Sequence, residues 1–191
     1  MSKPVLQVII ASTRPGRAGR AIGEWFYERA VAGGEFDVEL VDLAEVGLPF
    51  LDEPNHPRLK QYEHAHTKEW SAIVERGDAY VFVTPEYNHS FNAVLKNALD
   101  YLHQEWQHKA AGFVSYGGLS GGTRAVNGLR QVASSLKMIP VVEAVNLAFY
   151  PQFVEDGTVK ANDVMTGAAD AMLAELAKLT GALRPMRLAA A

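Results

Sequence analysis

The chain has 191 residues, 48% of them hydrophobic and 21% charged, with a net charge of −4 and no cysteine. This composition suits one sizeable core in one domain, and it excludes disulfides, thiol nucleophiles and thiolate metal sites. The acidic balance argues against a nucleic-acid partner, and no run approaches the roughly 20 apolar residues of a membrane helix or the h-region of a signal, so a cytoplasmic protein without a membrane partner is expected.

Residues 5–11 form an apolar run that predicts a first buried strand, followed by a basic, glycine-containing loop over 12–20. Ala21, Ile22, Trp25, Phe26 and Ala30 recur at helical spacing, and Gly33 and Gly34 stop that helix. Residues 36–41 alternate apolar and acidic side chains, as a half-exposed edge strand does. A proline-rich surface loop over 47–57 precedes a helix over 62–76, with Gly77 as its C-cap. Residues 78–84 read as a short buried strand, and Ser90 is placed as the N-cap of a helix carrying Phe91, Val94, Leu95, Ala98 and Leu102. A fourth strand over 110–116 runs into a glycine-dense loop and a helix marked by Ala125, Val126, Leu129, Val132, Ala133 and Leu136. A fifth strand over 140–147 leads through a loop to Pro151. Asn162 or Asp163 then caps a last helix closed by Gly181, so the domain is expected to span 1–183 with 184–191 as a loose tail.

Strict alternation of strand and helix predicts a three-layer α/β sandwich around a five-stranded parallel sheet. The flavodoxin-like order 2-1-3-4-5 fits, with the acidic second strand at an edge. In that order the loops after strands one, three and four lie side by side at the switch point, where open parallel sheets bind ligands.

Those three loops carry the polar chemistry. The first, with Ser12, Thr13, Arg14, Arg17, Ala18 and Gly19, offers hydroxyls, backbone N–H groups at a helix start and guanidinium forks suited to phosphate. It contains neither GxGxxG nor a Walker A signature, and the bland reading is a turn with solvated arginines. The second sets Pro85, Glu86, Tyr87 and Asn88 together. A stiff loop with a carboxylate, an aromatic face and an amide is equipped for a flat, heteroatom-rich ring; otherwise it is a rigid connector. The third, from Ser115 through Tyr116, Gly117 and Gly118 to Gly122, lets backbone approach a ligand closely.

Gly118-x-Ser120-x-Gly122 also matches a hydrolase nucleophile elbow. That fold needs an acid and then a histidine downstream of the serine, yet all six histidines precede Ser120. The pairs His64/His66 and His103/His108 are spaced for different sides of a helix, so no metal site is expected. No acid–base residue is assigned. Glu86, Tyr87 and Asn88 stand as positioning candidates.

With these residues in view, the chain resembles the NADPH-dependent FMN reductase family of flavodoxin-like flavoproteins. The matching segments are Ser12-Thr-Arg-Pro-Gly-Arg17, Thr84-Pro-Glu-Tyr-Asn-His-Ser90, Leu95-Lys-Asn-Ala-Leu-Asp100, Tyr116-Gly-Gly118, Ser120-Gly-Gly122 and Arg124-Ala-Val126. Ala11 and Ala110 depart from the residues common there, glycine and proline. The resemblance implies FMN as cofactor, its phosphate on Ser12, Arg14 and the backbone of Arg17 to Gly19. Pro85 to Asn88 would line the isoalloxazine, with Ser115, Gly117 and Gly118 at its far edge. NADPH or NADH would reduce the flavin, which would pass electrons to a small acceptor: free flavin, a quinone, an azo dye or a metal oxyanion. A flavodoxin-like electron carrier and a non-catalytic redox-sensing module are the rival readings. A homodimer or homotetramer is also implied, and the apolar face of the Phe91–Leu102 helix, with Tyr101 and Trp106, is its expected interface.

Overall fold

The computed structural model describes residues 2–188. In chain order it sets β1 (Val5–Ile10), α1 (Gly19–Gly33), β2 (Asp37–Asp42), α2 (Leu43–Val46), α3 (Ala65–Arg76), β3 (Ala79–Pro85), α4 (Ala93–Asp100), β4 (Ala110–Gly117), α5 (Thr123–Ser135) and β5 (Ile139–Ala148). A short hairpin, β6 (Val154–Glu155) and β7 (Thr158–Val159), leads into α6 (Asp163–Leu188). The main sheet is parallel throughout, in the order β2-β1-β3-β4-β5, which is the expected flavodoxin-like order.

Helices cover both faces, so β3 and β4 are buried at every position and need continuous apolar runs. One face packs Trp70 of α3, Leu95 of α4 and Leu129 of α5 against Tyr80, Phe82 and Phe113. The other packs Phe26 of α1 and Leu176 of α6 against Val81 and Val114. β2 stays at an edge and is only partly buried, as its acidic alternation requires.

Four features differ from the sequence reading. Ser90 does not cap α4; Asn92 does, its Oδ1 accepting from Leu95 N at 2.9 Å. The apolar face of α4 is not left over for a partner: Leu95, Ala98, Tyr101, Leu102 and Trp106 are each at most 2% exposed inside the chain's own core, with Phe91 and Val94 packed against them. α6 does not stop at Gly181 but continues to Leu188, so residues 184–188 are helical rather than loose. Arg184 lies 3.4 Å from Asp78, and Arg187 pairs with the same carboxylate, which fixes that last stretch by contacts a local reading cannot see. The remainder of the proposed tail, 189–191, lies outside the described residues. Finally, His64 sits at the N-cap of α3 rather than within it, so its ring stacks on His66 with centroids 5.2 Å apart.

β5 carries an irregularity at the far edge. Ala111 pairs with Pro140 and Phe113 with Ala144, so β5 spends four residues where β4 spends two. Arg130 donates to the Val141 carbonyl and, at 2.9 Å, to that of Val142, with its guanidinium 4.9 Å over the Phe113 ring.

Candidate functional site

The site is built where β1, β3 and β4 end. Ser12 directly follows β1 and the buried Ala11, and it is only 1% exposed; its Oγ has no hydrogen-bond partner among the described residues. Thr13 and Arg14 are exposed, and the loop closes into α1 with Ala18 at the N-cap, no capping side chain and no acid in the first turn. The first amides of α1 therefore keep free N–H groups at the positive end of the helix dipole. Gly19 is required there: a methyl on it would collide with Ser12 Oγ and come 2.6 Å from the Tyr116 hydroxyl. A buried hydroxyl without a partner, beside an uncapped helix start, has the chemistry that suits an anion.

Of the three arginines over 12–20, two share one partner and one has none among the described residues. Arg17 donates to the buried Asp42 at 2.5 Å, and Arg20 reaches the same carboxylate at 3.1 Å. Asp42 also accepts from Ala44 N at 3.0 Å, so it ties the loop to the start of α2. The Arg17 guanidinium thus serves the loop, as does its N–H, which donates to the Arg14 carbonyl at 3.2 Å, while the Arg14 side chain makes no ion pair among the described residues.

The loop after β3 is held from both sides. Glu86 N donates to the Tyr116 carbonyl at 3.0 Å. The Glu86 carboxylate accepts from Ser120 Oγ at 2.8 Å, Arg124 Nη1 at 2.7 Å and Arg124 N at 3.2 Å. Burial opposes its charge, but these donors outweigh it and hold the carboxyl below its ordinary range. Glu86 therefore fastens this loop to the start of α5 and has little left for a ring. Tyr87 and Ser90 exchange backbone bonds of 2.9 and 3.0 Å across Asn88 and His89, whose φ values are 50° and 67°. Positive φ at both central residues is the type I′ requirement. Asn88 is exposed on this turn, outside the cleft.

The loop after β4 divides likewise. Ser115 is fully buried, its hydroxyl 2.8 Å from both the Gly121 carbonyl and the Asn146 side chain. It braces the glycine turn, and Gly118 has open space where a side chain would stand. Tyr116 is 4% exposed, and burial pushes its phenol up.

A cleft of about 50 Å³ joins Arg14, Arg17 and Ala18 to Pro85, Glu86, Tyr87, Tyr116 and Gly117. Ser12 and Gly19 adjoin it through the Tyr116 hydroxyl. Thr13, Asn88, Ser115 and Gly118 are not among its lining residues. Tyr150 is, and the sequence reading missed it; its ring stands edge-on to Tyr116 at 5.2 Å. The signal was present, an aromatic next to Pro151 just beyond a strand end, as with Pro85 and Tyr87. Two cavities of about 620 Å³ lie elsewhere, one between β2 and α3, the other at the opposite pole of the sheet.

A flavodoxin-like sheet, an anion-ready helix start and an aromatic rim at the switch point define a protein that binds a phosphorylated flat cofactor. Residues 5–152 match the NADPH-dependent FMN reductase family, and the chain belongs to it. It is 41% identical over 148 residues to an NAD(P)H-dependent FMN reductase of Schizosaccharomyces pombe, covering 75% of this chain and 74% of that one. It is 33% identical over 173 residues to an NAD(P)H:quinone oxidoreductase of Solanum tuberosum, covering 83% and 84%. Among solved structures, the flavoenzyme NAD(P)H:(acceptor) oxidoreductase FerB from Paracoccus denitrificans shares the fold, with a TM-score of 0.73 at 19% identity over 92% of this chain and 98% of that one. The chain is thus an oxidoreductase of FMN and NAD(P)H. No helix among the described residues is long and apolar enough to cross a membrane.

Proposed function

We propose that this enzyme takes electrons from NAD(P)H and delivers them to flat aromatic acceptors of the quinone class, at the cleft between the β1, β3 and β4 loops. The observation that carries the reading is the unpartnered, buried Ser12 hydroxyl at the uncapped start of α1. Ser12 Oγ, the first amides of α1 and the Arg14 guanidinium would hold the FMN phosphate. Pro85, Tyr87 and Gly117 would flank the ring. FMN, when bound, supplies the two-electron chemistry, and the protein supplies binding and orientation. No lining residue is assigned as a proton donor: Glu86 is spent on Ser120 and Arg124, and burial keeps the Tyr116 phenol protonated.

The acceptor class rests on Tyr87 and Tyr150, which give the cleft an aromatic rim. Relatives named as quinone and azo reductases, from Solanum tuberosum and a Bacillus strain, support it. Assembly into a homodimer or homotetramer belongs to the same proposal. Its support moves from α4 to Phe50 and Leu51, 83% and 41% exposed, on a loop fastened to α4 by Asn97.

Anaerobic stopped-flow mixing of the FMN-loaded protein with NADPH and NADH tests the reading. Flavin bleaching within seconds, followed by rapid reoxidation with a benzoquinone, is expected. Bleaching over hours would leave an electron carrier or sensor. A panel in which chromate or free flavin exceeds quinones in kcat/KM would overturn the acceptor class.

A further inference from the structure

At the pole opposite the flavin loops, the cleft of about 620 Å³ opens beside the end of α3, the start of β4 and the end of α6. Its charge is unbalanced. Arg58, Lys60, Lys109, Lys137 and Arg187 line it against only three carboxylates, Glu75, Asp78 and Glu105. All three are committed. Asp78 pairs with Arg184 and Arg187, and Glu75 takes Lys60 at 2.8 Å. Glu105, buried, accepts from Tyr62 at 2.9 Å and Ser71 at 2.7 Å, with Lys60 at 3.8 Å. Arg58, Lys109 and Lys137 are left without a carboxylate within 4.0 Å among the described residues.

Lys109 is the most telling of them. It is 4% exposed, and its Nζ donates only to neutral acceptors: the Val74 carbonyl at 3.0 Å, that of Glu75 at 3.2 Å and the Tyr80 hydroxyl at 2.8 Å. Burial and then the Arg187 charge draw its pKa down to about 7. Its charged form is buried without a carboxylate within 4.0 Å, so the group gives up its proton readily, and an anion in the cleft would favour the charged form. Lys137 stands just past α5 with φ of 59°, the left-handed conformation that ends many helices.

The bland alternative is that these cations serve the last carbonyls of α3 and the strand ends. That accounts for Lys109 and Arg187, which do bond backbone carbonyls. Arg58 and Lys137 are exposed at the mouth of the cleft, free to turn toward it: among the described residues Lys137 makes no ion pair, and the Arg58 Nε meets only the His103 ring at 3.4 Å.

We propose that this cleft binds a phosphate monoester at a site separate from the flavin loops, with Arg58 and Lys137 gripping the phosphate and Lys109 as the buried charge behind it. With Lys109 protonated, five cations face three carboxylates, and a phosphate dianion balances the two charges left over and draws that proton on, which a single carboxylate does less well. The planar fork of Arg58 matches phosphate oxygens, and the cavity is of mononucleotide size.

The experiment is isothermal titration of the FMN-saturated protein with inorganic phosphate and with adenosine 5′-monophosphate, at constant ionic strength in chloride. Saturation with FMN keeps the probes off the flavin cradle. Binding is expected to weaken about tenfold or more in the double variant Arg58→Gln/Lys137→Asn, because each lost charged hydrogen bond is worth that much. Asparagine tolerates the positive φ at position 137, so folding should survive. FMN affinity should not change in that variant. Tighter binding of the nucleotide than of phosphate identifies a nucleotide ligand, and equal affinity identifies the phosphate group alone. No heat beyond the chloride control, or unchanged binding in the double variant, overturns the site. Loss of binding in Arg14→Ala would also overturn it, by moving the probe to the flavin loops.

Discussion

Arg14 and Arg17 sit three positions apart in one loop, yet Asp42 occupies only the second. Arg14→Ala should therefore weaken FMN by about 1.5–3 kcal/mol while scarcely touching riboflavin, which has no phosphate. Parallel fluorescence titrations decide it, and equal loss of both flavins would make Arg14 a loop-supporting residue. Gly19→Ala tests the cradle from below. Its methyl would strike Ser12 Oγ, so FMN binding should fall sharply while the far-UV circular dichroism stays native. Asn88 was legible as a polar loop residue, but its part is set by backbone geometry. With φ at 50° it shapes the turn, so Asn88→Gly should leave flavin reduction and stability near wild type, whereas Asn88→Ala strains the turn. A sequence shows which side chains a loop owns. It does not show which of them are spent on one another, as Glu86 is on Ser120 and Arg124.

Among the elements, the cap of α4 is the cleanest test. Asn92→Ala removes the bond to Leu95 N and should lower stability by about 1 kcal/mol, whereas Ser90→Ala should not weaken the helix. Urea unfolding of the two variants separates them. The five strands and five longer helices were legible because each has a strong period and a glycine or proline at its limits, and parallel pairing then leaves few orders to choose from. α2 was missed because its four residues are too few to show a period and depend on the Asp42 cap. The end of α6 was misread because Asp78, 109 residues away from Arg187, holds it in place. The apolar stripe on α4 was seen, but periodicity cannot tell whether a stripe faces its own core or a second chain. Here Tyr80, Phe82 and Trp106 absorb it.

For the whole molecule, Lys109 sets a pH dependence. Its native pKa lies near 7 and its unfolded value near 10.5, so between those limits the unfolded chain holds a proton that the folded chain has released. Stability should climb as pH rises through that window and be lost as pH falls back toward 7. Lys109→Met should flatten the slope, which urea midpoints at a series of pH values would show; parallel slopes would refute the shift. Light scattering should report more than one copy, and a 20.9 kDa particle at micromolar concentration would count against the assembly proposed from Phe50 and Leu51. The wide irregularity in β5 has a different consequence. An outermost strand with Ile139 and Val142 facing solvent, 40% and 84% exposed, could recruit further strands and grow into a fibril. The two surplus residues break its regular hydrogen-bonding row, and Arg130 caps the carbonyls of Val141 and Val142 with a charge. Arg130 thus works as a gatekeeper, and Arg130→Ala should shorten the lag before thioflavin-positive aggregates appear on prolonged warming.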